Sequence, residues 1–295
     1  MIPHRRYSPR AYDAQNRLDS GADSTVWMKE ERISIYFLRP EYQSILRALF
    51  YFEVIFMQEL LTQLKENVGF VLVCILIVAA LALASRFAER FMAEKRKVST
   101  ARRVSIIGIC AAIATVLHML DFPLLFIAPE FYKLDFSELP VLLCGFYLGP
   151  SATVACEGIK IVLKLLLKGT STAFVGDFAN FVVGCSLVLP ATIFYHLHKN
   201  KHSAIVGLII GSICITVFGS AFNAIYLLPK FAQLYGIPLE AIIGMGAKIH
   251  SSINSVMTFV FFCVAPLNLL KAAMVSILTM LLYKRVARPL FGKTK

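Results

Sequence analysis

The sequence predicts an all-α integral membrane protein, a bundle of six helices preceded by one extra N-terminal transmembrane helix. Three observations carry this. Hydrophobic residues make up 58% of the 295 positions and charged residues 16%, against roughly 45–50% and ~25% in soluble domains. Mean hydropathy is +0.70, more apolar surface than one soluble core of this size can hide. The apolar residues also fall in long runs suited to a ~30 Å hydrocarbon layer, with Lys and Arg gathered at alternate run ends. Disordered, collagen-like and disulfide-scaffold classes are excluded.

Residues 1–67 form an N-terminal extension with nine Lys/Arg and nine Asp/Glu. Its first 32 residues are polar and lack the early apolar run of a signal peptide. Residues 33–64 hold aromatic and aliphatic clusters that fit an interfacial amphipathic helix. A competing reading starts translation at Met28 or Met57 and makes the upstream residues non-native. The extra transmembrane helix follows at 68–88, an unbroken apolar run closed by Arg86, Arg90, Lys95, Arg96, Lys97, Arg102 and Arg103. Such a basic cluster belongs on the cytoplasmic side.

Six spans are expected within 101–290: 104–120, 136–148, 151–167, 177–198, 204–228 and 267–283. Residues 122–134, broken by Pro123 and Pro129, form the first outer loop. The run 136–148 is short for an untilted span, and Gly149-Pro150 turns the chain. Pro229 closes the fifth span and Pro266 opens the sixth. Between them 230–265 is a long outer segment, with a helical stretch at 239–250 and room for a re-entrant helix. Lys284, Arg285 and Arg288 place the C-terminus in the cytoplasm. Residues 68–295 hold twenty-one basic and nine acidic residues, so the net charge of +12 marks topology rather than nucleic-acid binding.

The chemistry of a catalyst is missing. There is no GxxxxGK[ST] loop for ATP, and no HExxH or GxSxG. The seven cysteines all lie in apolar runs without a CxxC pair, as buried thiols do. The acids within the spans look too few and too scattered for a proton relay. The chain reads as a non-enzyme without a cofactor.

Polar residues at membrane depth are costly and mark functional candidates. Asn268 and Lys271 share one helix face after Pro266; the competing reading has Lys271 snorkel to the interface. Asn223 carries donor and acceptor together, suited to the imide edge of a heterocycle, or alternatively to gluing two helices. The stretch 168–177, with Gly176 and then Asn180, permits close backbone approach and offers hydroxyls to a polyol, or is a plain tight turn. Glu157, Lys160, Lys164 and Lys168 form one helical stripe in which Glu157 and Lys160 pair. Gly108 with Ala112, and Ala111 with Thr115, make a small-residue face for another helix or a membrane subunit.

These residues resemble a known family. Ala111-Ala112-Ile-Ala114, Asp121-Phe-Pro-Leu124, Leu134-Asp-Phe-Ser-Glu-Leu-Pro140, Gly145-Phe-Tyr-Leu-Gly-Pro150, Gly169-Thr-Ser-Thr172 with Asn180, Phe222-Asn-Ala-Ile-Tyr-Leu-Leu-Pro229 and Pro266-Leu-Asn-Leu-Leu-Lys271 are similar to the S components of energy-coupling factor (ECF) transporters, specifically the riboflavin-specific RibU group. The resemblance implies a six-helix S-component bundle with a vitamin pocket near the outer surface, roofed by the loop after its first helix. It implies flavin contacts at Asn223, Asn268 and Lys271 and a ligand-adjacent loop from Ala173 to Gly176; read from the residues themselves, Phe222 and Tyr226 offer apolar contact. It also implies a docking face around Gly108–Thr115 for the transmembrane coupling subunit, with two ATP-binding cassette ATPases supplying energy. Riboflavin is then a transported ligand. Another vitamin, a flavin nucleotide held by Lys133, Lys168 or Lys230, and a self-sufficient secondary transporter are the alternatives.

Overall fold

The computed structural model describes residues 68–90, 92, 98–170, 172 and 174–291. The extension 1–67 and Ala173 lie outside the described residues. Helix α1 spans Val68–Arg90 and α2 spans Thr100–Met119. A two-stranded antiparallel hairpin follows, β1 (Phe122–Pro123) against β2 (Lys133–Leu134), with Phe122 opposite Leu134. Then come α3 (Glu138–Leu148), α4 (Pro150–Lys168) and α5 (Val175–His198). Two composite rods complete the bundle. The first joins α6 (Lys201–Phe222) to α7 (Leu228–Tyr235). The second joins α9 (Val256–Phe259) to α10 (Ala265–Phe291). Between them lies the short α8 (Leu239–Ala247).

Local chemistry sets these ends. Ser99 caps α2 by accepting from the Arg102 amide, and Asn200 caps α6 by accepting from the Ser203 amide at 2.7 Å; such side chains satisfy N–H groups that a helix start leaves open. Ser255 and Thr258 form a capping box that starts α9. Gly149, at φ +106°, makes the turn between α3 and α4, a backbone region that suits glycine alone. Pro150 then begins α4, where its missing N–H costs nothing.

Among the described residues, four helical stretches are long and apolar enough to cross a membrane: Thr100–Met119, Val175–His198, Lys201–Tyr235 and Val256–Tyr283. Of these, α5 is the most enveloped, with 61% of its apolar window buried against 22% for α2. It therefore sits at the centre of the bundle, while α2 offers much of its surface outward. Together with α1, α3 and α4, these stretches give one leading helix and six further rods.

The two composite rods revise the expected ends. Pro229 and Pro266 were natural stopping points, because proline removes a helical hydrogen bond. Instead each rod inserts one π-helical turn just before its proline, Asn223–Leu227 and Val260–Val264. The amide of Leu228 reaches back to the Asn223 carbonyl, and that of Ala265 to Val260. The wider turn re-phases the helix so that it runs through the proline. The sixth rod thus begins at Val256 rather than 267, and the fifth continues to Tyr235. The segment 230–265 contains only the nine-residue α8 in addition, too short to span.

Besides a smaller cluster around Val154, Phe181 and Cys185, two larger apolar cores fill the bundle. One joins Ala111, Leu142, Cys156, Leu187, Leu208 and Val275. The other, at the hairpin end, joins Leu134, Val175, Leu227, Phe231, Phe259 and Leu267.

Candidate ligand-binding site

A cavity of about 320 Å³ opens between these cores, within the usual size range of small-molecule sites. Its walls come from the end of α2, the hairpin, the α4–α5 connection, the first π turn with α7, and α10. Asn223, Asn268, Lys271, Gly176 and Asn180 all line it. Three separate stretches of sequence singled out above thus converge on one space.

The two asparagines are held differently. Asn223 heads the first π turn and is 4% exposed. Its Oδ1 accepts from the Tyr132 hydroxyl at 2.6 Å, and its Nδ2 donates to the Gly219 carbonyl at 2.7 Å. Asn268 lies two residues beyond Pro266, and its buried Nδ2 has no hydrogen-bond partner among the described residues. A β-carbon on Gly219 would stand 2.7 Å from that Nδ2, so glycine there leaves Asn268 its place.

Lys271 is anchored rather than snorkelling. Its Nζ lies 3.1 Å from Asp135 Oδ2 and 3.0 Å from Glu138 Oε1. Asp135 Oδ2 is also 3.3 Å from His118 Nδ1, and Asp135 Oδ1 accepts from the Ser137 amide at 2.8 Å. Burial opposes ionisation of Asp135, yet Lys271 and His118 outweigh it and hold the carboxyl well below the usual carboxylate range.

Below Lys271 the charges continue. Lys160, fully buried, is 3.5 Å from Glu138 Oε1 and 2.5 Å from Glu157 Oε1. The expected Glu157–Lys160 pair is present, but the acids are not scattered. Asp135, Glu138 and Glu157 gather around two lysines, which corrects the expectation that the acids of the spans are scattered. The signal was in the sequence, since Asp135 and Glu138 belong to the quoted Leu134–Pro140 motif, but nothing local joined them to Lys271.

The α4–α5 connection is fastened by Lys164, which donates to the Gly169 carbonyl and pairs with Asp177 at 2.5 Å. Thr170 and Thr172 line the cavity while accepting from the Phe174 and Gly176 amides, both at 3.0 Å. Each hydroxyl keeps its own hydrogen to donate. At the cavity mouth Lys133 and Lys168 share Asp121 at 3.4 and 3.8 Å; Lys230 is not in the lining.

Aromatic cover comes from residues the sequence did not single out. Phe131, Tyr132 and Phe231 line the cavity, whereas Phe222 and Tyr226 do not. Phe222 instead packs between Phe218 and Tyr226, with ring centroids 5.9 and 5.3 Å away. The small-residue face also divides. Gly108 and Ala112 are exposed on α2 beside Val104, Ile109 and Val116. Ala111 and Thr115 are buried, Thr115 donating to the Ala111 carbonyl and lying 3.3 Å from that of Lys160. The two pairs therefore point different ways, because spacing by four sets a stripe but not the side it faces.

Residues 102–283 match the family model described as ECF transporter, substrate-specific component. The chain is 32% identical over 186 residues to a protein named Riboflavin transporter RibU of Staphylococcus aureus (strain TCH60), covering 63% of this chain and 90% of that one. It is 26% identical over 183 residues to Riboflavin transporter FmnP of Bacillus subtilis (strain 168), covering 62% and 90%. A solved structure titled "Structure and mechanism of the S component of a bacterial ECF transporter" aligns with a TM-score of 0.51 at 34% identity, over 64% of this chain and 97% of that one. A bundle of apolar helices around a polar cavity is what such a likeness requires, and the chain belongs to the ECF transporter substrate-specific component family, as a multi-pass membrane protein and not an enzyme.

Proposed function

We propose that this S component captures riboflavin on the outer side of the membrane and releases it inward in complex with a coupling subunit and two ATP-binding cassette ATPases. The cavity, with Asn268, Lys271 and Asn223 on one wall, is the observation that carries the reading. A planar isoalloxazine has an apolar ring and a polar edge of donors and acceptors. The open Nδ2 of Asn268 and the anchored ammonium of Lys271 offer donors to that edge. Tyr132, Phe131 and Phe231 offer ring faces, and Thr170 and Thr172 offer hydroxyls to the ribityl chain. Gly176 and Asn180 also line the cavity, with Ala173 in the same stretch of sequence.

In this reading the hairpin end faces outward, because the basic cluster around Arg102 and Arg103 belongs to the cytoplasmic end of α2. The C-terminus is then cytoplasmic. The exposed Gly108 and Ala112 offer close approach to the coupling subunit, while Ala111 and Thr115 support that face from inside. The test is direct. The purified chain carries yellow flavin or quenches riboflavin fluorescence on titration; a colourless protein without quenching overturns the proposal.

A further inference from the structure

The buried charges form an alternating chain that leaves the cavity and enters the core. In order they are His118, Asp135, Lys271, Glu138, Lys160 and Glu157, contributed by α2, the loop before α3, α10, α3 and α4. His118, Asp135 and Lys271 line the cavity, but Glu138, Lys160 and Glu157 do not. The lower half is built rather than incidental. A β-carbon at Gly184 of α5 would stand 2.2 Å from Glu157 Oε1 and 3.4 Å from Glu138 Oε1, so α5 makes room for both carboxylates. Lys160 also donates to Ser137 Oγ at 3.0 Å.

The decisive feature is that one oxygen, Glu138 Oε1, serves two lysines, at 3.0 Å from Lys271 and 3.5 Å from Lys160. An ammonium has three donors, and Asp135 and Glu138 already engage that of Lys271. A ligand that draws Lys271 toward itself loosens it from Glu138. In a dry interior a carboxylate left alone is expensive, so release depends on a second cation to take Glu138 over. Lys160 stands in that place.

Resting on the reading that Lys271 meets the ligand, we infer that Lys160 is a positioning residue for capture: it holds Glu138 so that Lys271 is shared with the ligand instead of being sequestered. Lys160 touches no cavity surface and acts through Glu138. Glu157 balances its charge.

Three variants of the full chain, purified in detergent and titrated with riboflavin, test this. Lys160→Met with Glu157→Gln removes the lower ion pair as a unit and conserves net charge, so thermal stability stays near that of the unmodified chain. Its riboflavin affinity falls by roughly tenfold or more, since Glu138 then has Lys271 as its only cation. Adding Glu138→Gln releases Lys271 and returns affinity to within about threefold of the unmodified chain. Glu138→Gln alone keeps the Lys160–Glu157 pair and binds at least as tightly as the unmodified chain, which makes the inference testable even if the double variant does not fold. Unchanged affinity in the double variant, no recovery in the triple, or a tenfold loss in Glu138→Gln alone overturns the inference. An unmodified chain that binds no riboflavin overturns the underlying reading first, and the two failures are thus distinguishable.

Discussion

The π turn of the α6–α7 rod and the stretch of α10 after Pro266 use one device for opposite ends. Each rod widens one turn ahead of a proline and carries an asparagine on the cavity, Asn223 at the head of its π turn and Asn268 beyond its proline. The amide of Asn223 is engaged at both ends, by Tyr132 and Gly219. The Nδ2 of Asn268 is buried and open. A buried amide without a partner costs about 1–3 kcal/mol, so a fold keeps one where something else fills the position. The comparison therefore assigns different work to two residues of the same type. Asn223 ties the hairpin to the first rod, and Asn268 keeps an open donor, the one that the proposed function assigns to the ligand.

The largest effect tests the α10 side as a whole. Lys271→Met leaves Asp135 and Glu138 facing each other with one cation fewer, and breaking a buried pair in this way costs on the order of 3–5 kcal/mol. The thermal midpoint in detergent should fall sharply and riboflavin binding should vanish with it. A variant as stable as the unmodified chain would mean that Lys271 is not needed to balance those carboxylates.

Next is Asn268→Ala, which separates binding from stability. It removes an open donor, so the hydrogen-bonding loss on unfolding is near zero, while ligand affinity drops by about tenfold. Gly219→Ala should mimic it, since the added carbon would stand 2.7 Å from the Asn268 amide and only 3.3 Å from its next neighbour, Val183 Cγ1. If either variant unfolds far below the unmodified chain and retains affinity, the assigned roles are reversed. Asn223→Ala should behave the other way. It strands the Tyr132 hydroxyl, costing about 1–3 kcal/mol, while the Gly219 carbonyl keeps the backbone amide of residue 223, and it weakens riboflavin less than Asn268→Ala does. Equal losses of affinity for the two asparagines would erase the distinction.

Much of this was legible before any coordinates. Apolar runs and basic ends located the spans, because lipid forces long uninterrupted segments. Asn223, Asn268 and Lys271 stood out because so little else in those runs is polar. What escaped had physical reasons. Pro229 and Pro266 read as helix ends, since a sequence pattern cannot show a π turn absorbing the missing hydrogen bond. Asp135, Glu138 and Glu157 read as scattered, since their partners Lys271 and Lys160 arrive from other helices; only Glu157–Lys160 was near enough in sequence to see. Phe222 and Tyr226 flank Asn223 in sequence, but Phe222 packs on Phe218 and Tyr226, and the cavity takes its rings from the hairpin and α7 instead.

The smallest effect is the sharpest test of the asparagine comparison. Tyr132→Phe removes one hydroxyl and keeps the ring that packs 6.2 Å from Phe259 and 4.8 Å from Phe131. Asn223 Oδ1 then loses its donor while its Nδ2 still reaches Gly219. Interhelical hydrogen bonds in membrane proteins average about 0.6 kcal/mol, so the thermal midpoint should fall only slightly. Because Asn268 and Lys271 are untouched, riboflavin affinity should stay within about threefold of the unmodified chain. The dissociation rate should rise more than the affinity falls, because this bond is the link from the hairpin to the first rod, and a looser hairpin speeds entry as well as exit. Stopped-flow fluorescence separates the two rates. A tenfold loss of affinity with an unchanged dissociation rate would place the Asn223 carbonyl in the ligand's own hydrogen-bonding set, and the two asparagines would then share one role.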